Sequence, residues 1–107
     1  MTIDVDTLTN SMIAAGKGLV TGIWQQMETY AVPELKKIAV QIVSIGENIT
    51  QYTPEGAKIL LEMQVKATIG VIVAMTSLTM LAVQNAINAI LGAVRDFVNG
   101  AIGIALL

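Results

Sequence analysis

Hydrophobic positions recur every three or four residues along the chain, in three stretches separated by two prolines. In the first stretch the spacing predicts an amphipathic helix over residues 7–30, with Asp6 or Thr7 as its N-cap. We expect its apolar face to pack on the rest of the protein, or to lie flat on a membrane surface. The residues that form this face are Leu8, Met12, Ala15, Leu19, Ile23, Met27 and Tyr30.

The second stretch begins at Pro33, which is followed by the acidic residue Glu34. Proline at the first helical position, with an acid in the first turn, is typical of the start of a helix. The pattern therefore predicts a second amphipathic helix over residues 33–49, which is too short and too polar to cross a bilayer. Its apolar face comprises Leu35, Ile38, Ile42, Ile45 and Ile49.

The third stretch has the clearest start, with Thr53 as a predicted N-cap and Pro54 at the first helical position. No proline follows, so the sequence predicts one long helix from Pro54 to the region of Asn99–Gly100. A helix of that length is expected to bend at Gly92 or around Gln84–Asn88.

No charged side chain occurs between Lys66 and Arg95. An apolar helix of roughly 20 residues crosses the hydrocarbon core of a bilayer, so this run predicts a transmembrane span over about residues 67–88. The span residues are predicted to be Ala67, Ile69, Val71, Ile72, Val73, Met75, Leu78, Leu81 and Val83. The residues expected at the membrane interface are Trp24, Tyr30, Tyr52, Lys66 and Arg95.

Amide and small side chains mark predicted helix–helix contacts. Amides are costly in hydrocarbon unless they find a partner, and small residues let two helices approach closely. Gly18 and Gly22 also form a GxxxG sequence. The predicted contact residues are Ala14, Gly18, Gly22, Ala82, Gln84, Asn85, Ala86, Asn88, Ala89 and Ala93.

The C-terminal stretch, residues 97–107, is apolar but too short to span as a helix. A second span over residues 86–107 would place Arg95 and Asp96 near its middle, at a cost of several kcal/mol unless they are paired. We therefore expect one span, followed by a tail that is buried in a neighbouring subunit.

Composition narrows the classes of function. Hydrophobic residues make up 54% and charged residues 13% of the chain, against about 45–50% and about 25% in typical soluble domains. The net charge of −2 gives no basic footprint, which argues against nucleic acid as a partner. Cysteine and histidine are absent, and no catalytic or phosphate-binding motif occurs. We expect no enzymatic activity, no metal, no cofactor and no small-molecule substrate.

These patterns predict an all-α protein. Residues 1–53 form two amphipathic helices, and residues 54–107 form one long helix with a transmembrane span and an apolar tail. The expected function is that of a small membrane structural or assembly protein, which inserts into a bilayer and self-associates. A membrane-associated component of a phage virion is one example, so the expected location is the bacterial inner membrane or a virion membrane. No motif ties the chain to a named family.

Two alternatives remain open. The charges of Glu55, Lys58, Glu62 and Lys66 alternate in sign along one helix face, with Glu62 and Lys66 well placed for an i,i+4 ion pair. This pattern favours a soluble all-helical homo-oligomeric assembly subunit, in which neighbouring copies bury the apolar run. The other alternative is a holin-like or secretion-complex pore subunit.

Overall fold

The computed structural model describes residues 3–19 and 22–107, which form four α-helices. Because the described residues contain no strand, the all-α prediction is confirmed. The predicted number of helices was three and is wrong. The helices are α1 (Val5–Lys17), α2 (Ile23–Glu47), α3 (Pro54–Met75) and α4 (Met80–Ile102), with a 3-10 turn at Ile49–Gln51.

Helix α1 begins earlier than its periodicity predicts. Asp4 is the N-cap, and its carboxylate accepts hydrogen bonds from the backbone N–H of Thr7 at 3.0 Å and from the Thr7 hydroxyl at 3.2 Å. The acid thereby satisfies a backbone donor that the first helical turn leaves unpaired. Leu8 and Met12 are buried, in agreement with the predicted apolar face.

The predicted helix over residues 7–30 is interrupted, and its positions 20 and 21 lie outside the described residues. Helix α1 ends at Lys17, and Gly22 precedes α2 with a φ of 99°. This backbone conformation is incompatible with a right-handed helix and is readily adopted only by glycine. The chain therefore turns here, and two helices replace the predicted one.

The side chain of Trp24, at the start of α2, packs against α1. Its indole ring is only 5% exposed and lies over Gly16, where an added Cβ atom would overlap the ring. The indole N–H donates a hydrogen bond of 2.6 Å to Oε2 of Glu28, so the one polar atom of the ring is paired.

Pro33 lies inside α2, so the predicted helix boundary at this residue is wrong. A proline in a helix interior costs about 3 kcal/mol, because one hydrogen bond is lost and the ring crowds the preceding turn. Burial of a single large apolar side chain contributes about 1.5–3 kcal/mol. Many such side chains share one face of α2 on both sides of Pro33, and together they offset this cost: Trp24, Met27, Leu35, Ile38, Ile42 and Ile45.

The predicted long helix is also wrong, because the chain reverses between α3 and α4 at residues 76–79. The Thr76 hydroxyl donates to the carbonyl oxygen of Ile72 at 2.8 Å and accepts from the backbone N–H of Leu78 at 3.2 Å. Thr79 then caps α4, with its hydroxyl accepting from the N–H of Ala82 at 3.2 Å. These hydroxyls form hydrogen bonds with backbone groups that would bond to other backbone groups in a continuous helix.

The predicted span is consequently divided between two helices. Within the described ranges, no helix combines the length and the apolar character that crossing a bilayer requires. Gly92 and the Gln84–Asn88 segment, the alternative places for a bend in the predicted long helix, both lie within α4, and the chain reverses before them. The start of α3 agrees with the prediction, because the Thr53 hydroxyl caps the helix by accepting from the N–H of Gly56 at 3.0 Å.

The four helices enclose one core. Helix α2 packs against α1 and α3, and α4 packs against α1 and α3, in a body of 40 × 22 × 18 Å. The short connections from α2 to α3 and from α3 to α4 make these neighbours antiparallel. The largest fully buried side chains come from α1, α2, α3, α4 and the C-terminal segment: Leu8, Met12, Met27, Leu35, Ile38, Ile42, Ile45, Ile72, Val83, Ile87, Ile90 and Leu106.

The C-terminal segment folds back onto its own chain. Helix α4 ends at Ile102, and its C-cap Gly103 has a φ of 88°. Asn99 then holds Leu107 at two points: its Oδ1 accepts from the Leu107 N–H at 2.9 Å, and its Nδ2 donates to the Leu107 carbonyl at 3.3 Å. Leu106 is buried in the same chain, which corrects the expectation that a neighbouring subunit buries the tail.

Candidate functional site

The side of α3 that points away from the core is apolar and exposed along the whole helix. We name this surface the α3 face and define it as Ile59, Leu60, Met63, Ala67, Gly70, Val71 and Ala74, all of which are exposed. Met63 is 62% exposed and Ile59 is 57% exposed. Positions three and four apart line one side of a helix, so these residues form a continuous stripe.

The opposite side of α3 faces the core. Leu61, Ile69 and Ile72 are buried there, with Ala57 and Thr68 beside them. Helix α3 is therefore apolar on two sides, a property typical of a helix that is covered all round. The bundle of a single chain covers only one of these two sides.

Side-chain size changes along the α3 face. Its N-terminal half carries the large residues Ile59, Leu60 and Met63, whereas its C-terminal half contains the small residues Ala67, Gly70 and Ala74 beside Val71. A Cβ atom added at Gly70 would meet no other atom within 4 Å. The space above the small residues is therefore open.

A strip of four exposed charged residues, Glu55, Lys58, Glu62 and Lys66, borders the α3 face. Two acids and two bases give this strip no net charge. The ion pairs among the described residues are Lys37–Glu34 and Arg95–Asp96, so Glu62 and Lys66 do not form the ion pair predicted within their own helix. Both side chains are available to groups outside the chain.

A groove of about 340 Å³ separates the charged strip from α4. Leu61, Val65 and Ile69 contribute apolar side chains to it, and Leu106 and Leu107 line its wall. Four further polar side chains, Lys66, Gln84, Asn88 and Arg95, come together across the α3–α4 hairpin and line the same groove.

The apolar surface extends to the end of the hairpin. Met75 ends α3, and Met80 and Leu81 begin α4; all three are exposed, Leu81 to 66%. On α4, in contrast, the one large exposed apolar side chain beyond this end is Phe97, at 54%. The exposed hydrophobic side chains of the described residues are thus concentrated on α3 and the adjoining hairpin end.

The predicted span residues are divided among core and surface. Ile69, Ile72 and Val83 are buried, and Val73 and Leu78 are half-buried. The remaining predicted span residues are exposed: Ala67, Val71, Met75 and Leu81.

The predicted helix–helix contact residues also have mixed positions. Ala86 is buried within the bundle, and Ala82 and Gly22 are half-buried. Gly22 lies before α2 and not on a helix face, so the GxxxG sequence does not form a helical stripe. The remaining residues of this group are exposed: Ala14, Gly18, Gln84, Asn85, Asn88, Ala89 and Ala93.

The residues predicted for a membrane interface do not share one surface property. Trp24 is buried, so its ring is not presented to any surface. Tyr30 and Tyr52 are half-buried, and Lys66 and Arg95 are exposed at the groove between α3 and α4.

Sequence reasoning missed the N-terminal half of the α3 face. The signal was present, because Ile59, Leu60 and Met63 continue at helical spacing into Ala67 and Gly70. In the sequence this segment was interpreted from its charged residues Glu55, Lys58, Glu62 and Lys66 alone, and its apolar residues were not considered. Charged and apolar strips lie side by side on α3, and only their angular separation distinguishes them.

Among residues 3–19 and 22–107, no group of three or more acidic side chains is arranged to hold a metal ion. Comparisons with known proteins give no match: no family model, no curated protein and no solved structure is significantly similar to this chain. The fold and the α3 face define the molecule as a four-helix bundle with one unpartnered apolar helix face.

Proposed function

We propose that this protein is a non-enzymatic assembly subunit that works by binding further copies of itself through the α3 face. The observation that carries the proposal is the exposure of large apolar side chains along α3, in a chain that already has a complete core. Contiguous exposed apolar patches of this kind are uncommon on monomeric proteins and mark interaction surfaces.

The energetic argument concerns Ile59, Leu60 and Met63. Covering a fully exposed side chain of this type contributes about 1.5–3 kcal/mol. These three side chains are 57%, 37% and 62% exposed, so each contributes about half of that, and the partner contributes its own side chains to the same interface. Burial of several such groups can offset the loss of translational and rotational freedom on association. Helix α3 belongs to the bundle and is already ordered, so binding requires little further ordering of the backbone.

A lipid surface is the competing partner for the same face. Helices that lie on membranes carry an excess of lysine and arginine beside their apolar face, which attracts anionic lipids. The strip beside the α3 face has two acids and two bases, and Trp24 is buried away from the surface. These features favour a protein partner over a lipid surface for the α3 face, and we therefore propose self-association.

Sedimentation velocity over a dilution series of the purified chain tests the proposal. We expect the wild-type chain to form a discrete oligomer that dissociates on dilution. Met63→Asp should sediment as a monomer with unchanged helix content by circular dichroism, because the buried carboxylate would lack a partner. Phe97→Asp is the matched control on α4, since Phe97 is exposed to a similar degree outside the α3 face, and it should oligomerise like the wild type.

Two outcomes would contradict the proposal. One is a wild-type chain that remains monomeric at every concentration, and the other is an unchanged oligomer of Met63→Asp. Flotation with vesicles of mixed neutral and anionic lipids tests whether the α3 face binds lipid. Binding of wild-type monomers to these vesicles, lost in Met63→Asp, would assign the α3 face to lipid instead of protein.

A further inference from the structure

We infer that two copies of this chain pair α3 against α3 in an antiparallel arrangement, about a two-fold axis that passes beside the segment between Met63 and Ala67. This inference rests on the proposed self-association and specifies its geometry. It is carried by two features of α3 that vary along the helix, side-chain size and charge.

Size complementarity supports the antiparallel arrangement. The three largest residues of the α3 face, Ile59, Leu60 and Met63, precede the proposed axis, and the small residues, with Val71 among them, follow it. An antiparallel pair therefore places the large half of each copy against the small half of the other. Met63 lies opposite Ala67, and Leu60 lies opposite Gly70.

A parallel pair would fit poorly. The three large residues Ile59, Leu60 and Met63 would face the same three large residues of the partner. They would hold the helices apart at that end. Gly70 and Ala74 would then face each other across a gap. Protein interfaces reach the packing density of protein interiors, and gaps forfeit the contacts that close packing provides.

Charge complementarity supports the same arrangement. Glu62 and Lys66 are exposed side chains on one edge of the face, located on either side of the proposed axis. An antiparallel pair brings Glu62 of each copy beside Lys66 of the other, so one pairing occurs twice by symmetry. In a parallel pair the two-fold axis would place the two charged strips on opposite edges of the interface, so neither Glu62 nor Lys66 would gain a partner across it.

Cysteine cross-linking distinguishes the two arrangements, because the chain contains no cysteine of its own. The test uses two single variants, Ile59→Cys and Val71→Cys, at exposed positions of the α3 face. A disulfide needs Cα atoms about 4.4–6.8 Å apart. Positions 59 and 71 are about 18 Å apart along a helix, so each cysteine can reach only the residue directly opposite to it.

The antiparallel arrangement predicts that neither variant cross-links with itself on mild oxidation, whereas an equal mixture of the two gives the mixed disulfide dimer. The parallel arrangement predicts the reverse, with each variant cross-linking to itself and no preference for the mixed dimer. Self-cross-linking of both single variants would overturn our inference and leave the proposed self-association standing. A chain that does not oligomerise overturns both.

A glycine substitution provides an independent check. Gly70→Leu fills the space that receives Leu60 of the partner in the proposed pair, but its Cβ meets nothing in its own chain. We expect a rise in the dissociation constant of about tenfold or more, without loss of helix content. Gly100→Leu is the matched control, because Gly100 is an exposed helical glycine of α4 that is equally free of neighbours. Equal affinity of the Gly70→Leu and Gly100→Leu variants would contradict the proposed register.

Discussion

Gly16 and Gly70 are both helical glycines, yet their surroundings are opposite. An added Cβ atom at Gly16 would overlap the indole ring of Trp24, whereas at Gly70 it would project into open space. The sequence offered Gly18 and Gly22 as the glycines of a close helix contact, because they form a recognisable motif. The close contact is instead made by Gly16, which packs against Trp24. This contact could not be predicted from the sequence, because it depends on the turn between α1 and α2.

The same substitution is expected to have opposite effects at these two positions. Gly16→Ala should lower the free energy of unfolding by about 1–3 kcal/mol, because Trp24 must leave its packed position. Gly70→Ala should raise it by up to about 1 kcal/mol, because alanine favours the helix. Urea unfolding followed by circular dichroism measures both changes. Shifts of the same sign would show that the ring of Trp24 does not constrain Gly16.

At the scale of helices, the start of α3 was predictable because its signals are local. Thr53 and Pro54 are adjacent and act on the first turn alone. The apolar faces of α1 and α2 followed from periodicity for the same reason. Pro33 was misinterpreted, because proline suits a helix start and only burial on both sides of it keeps α2 continuous. That burial depends on partners elsewhere in the chain.

The reversal between α3 and α4 was missed because threonine side chains within an apolar run are compatible with a helix. Their hydroxyls can bond to the preceding helical turn or cap a new helix, and local sequence does not decide between these roles. The chain here does both, with Thr76 bonded to the carbonyl of Ile72 and Thr79 capping α4. The turn allows both helices to bury side chains in one core.

Loss of the α4 cap should therefore destabilise the fold. Thr79→Ala is expected to lower the free energy of unfolding by about 1 kcal/mol, because the N–H of Ala82 loses its partner. Ser77→Ala is the control in the same turn, since Ser77 is exposed and caps neither helix. Urea unfolding compares the two. Equal stability of both variants would mean that the reversal does not depend on the cap.

At the scale of the whole molecule, composition alone left two ways to bury the apolar run, in lipid or in protein. The fold buries part of it within one chain, in side chains such as Ile72, Val83 and Ile90. The residues that remain exposed could not be predicted, because the positions at which α2 and α4 pack on α3 determine which side of α3 is exposed. The location of the candidate site is thus a tertiary property, although every residue of its stripe was visible in the sequence.

Self-association through the α3 face should make thermal stability depend on protein concentration, because only the folded chain presents this face to a partner. For a dimer above its dissociation constant, each tenfold rise in concentration adds about 0.7 kcal/mol per chain, which raises the Tm of a domain of this size by roughly 3–5 °C. Met63→Asp should melt at one temperature throughout a dilution series, whereas Phe97→Asp should follow the wild type. Scanning calorimetry at several concentrations gives these values. The contrary outcome is a wild-type Tm that does not change with concentration although sedimentation shows an oligomer. It would mean that the oligomer persists through unfolding, and that the α3 face does not join the folded copies.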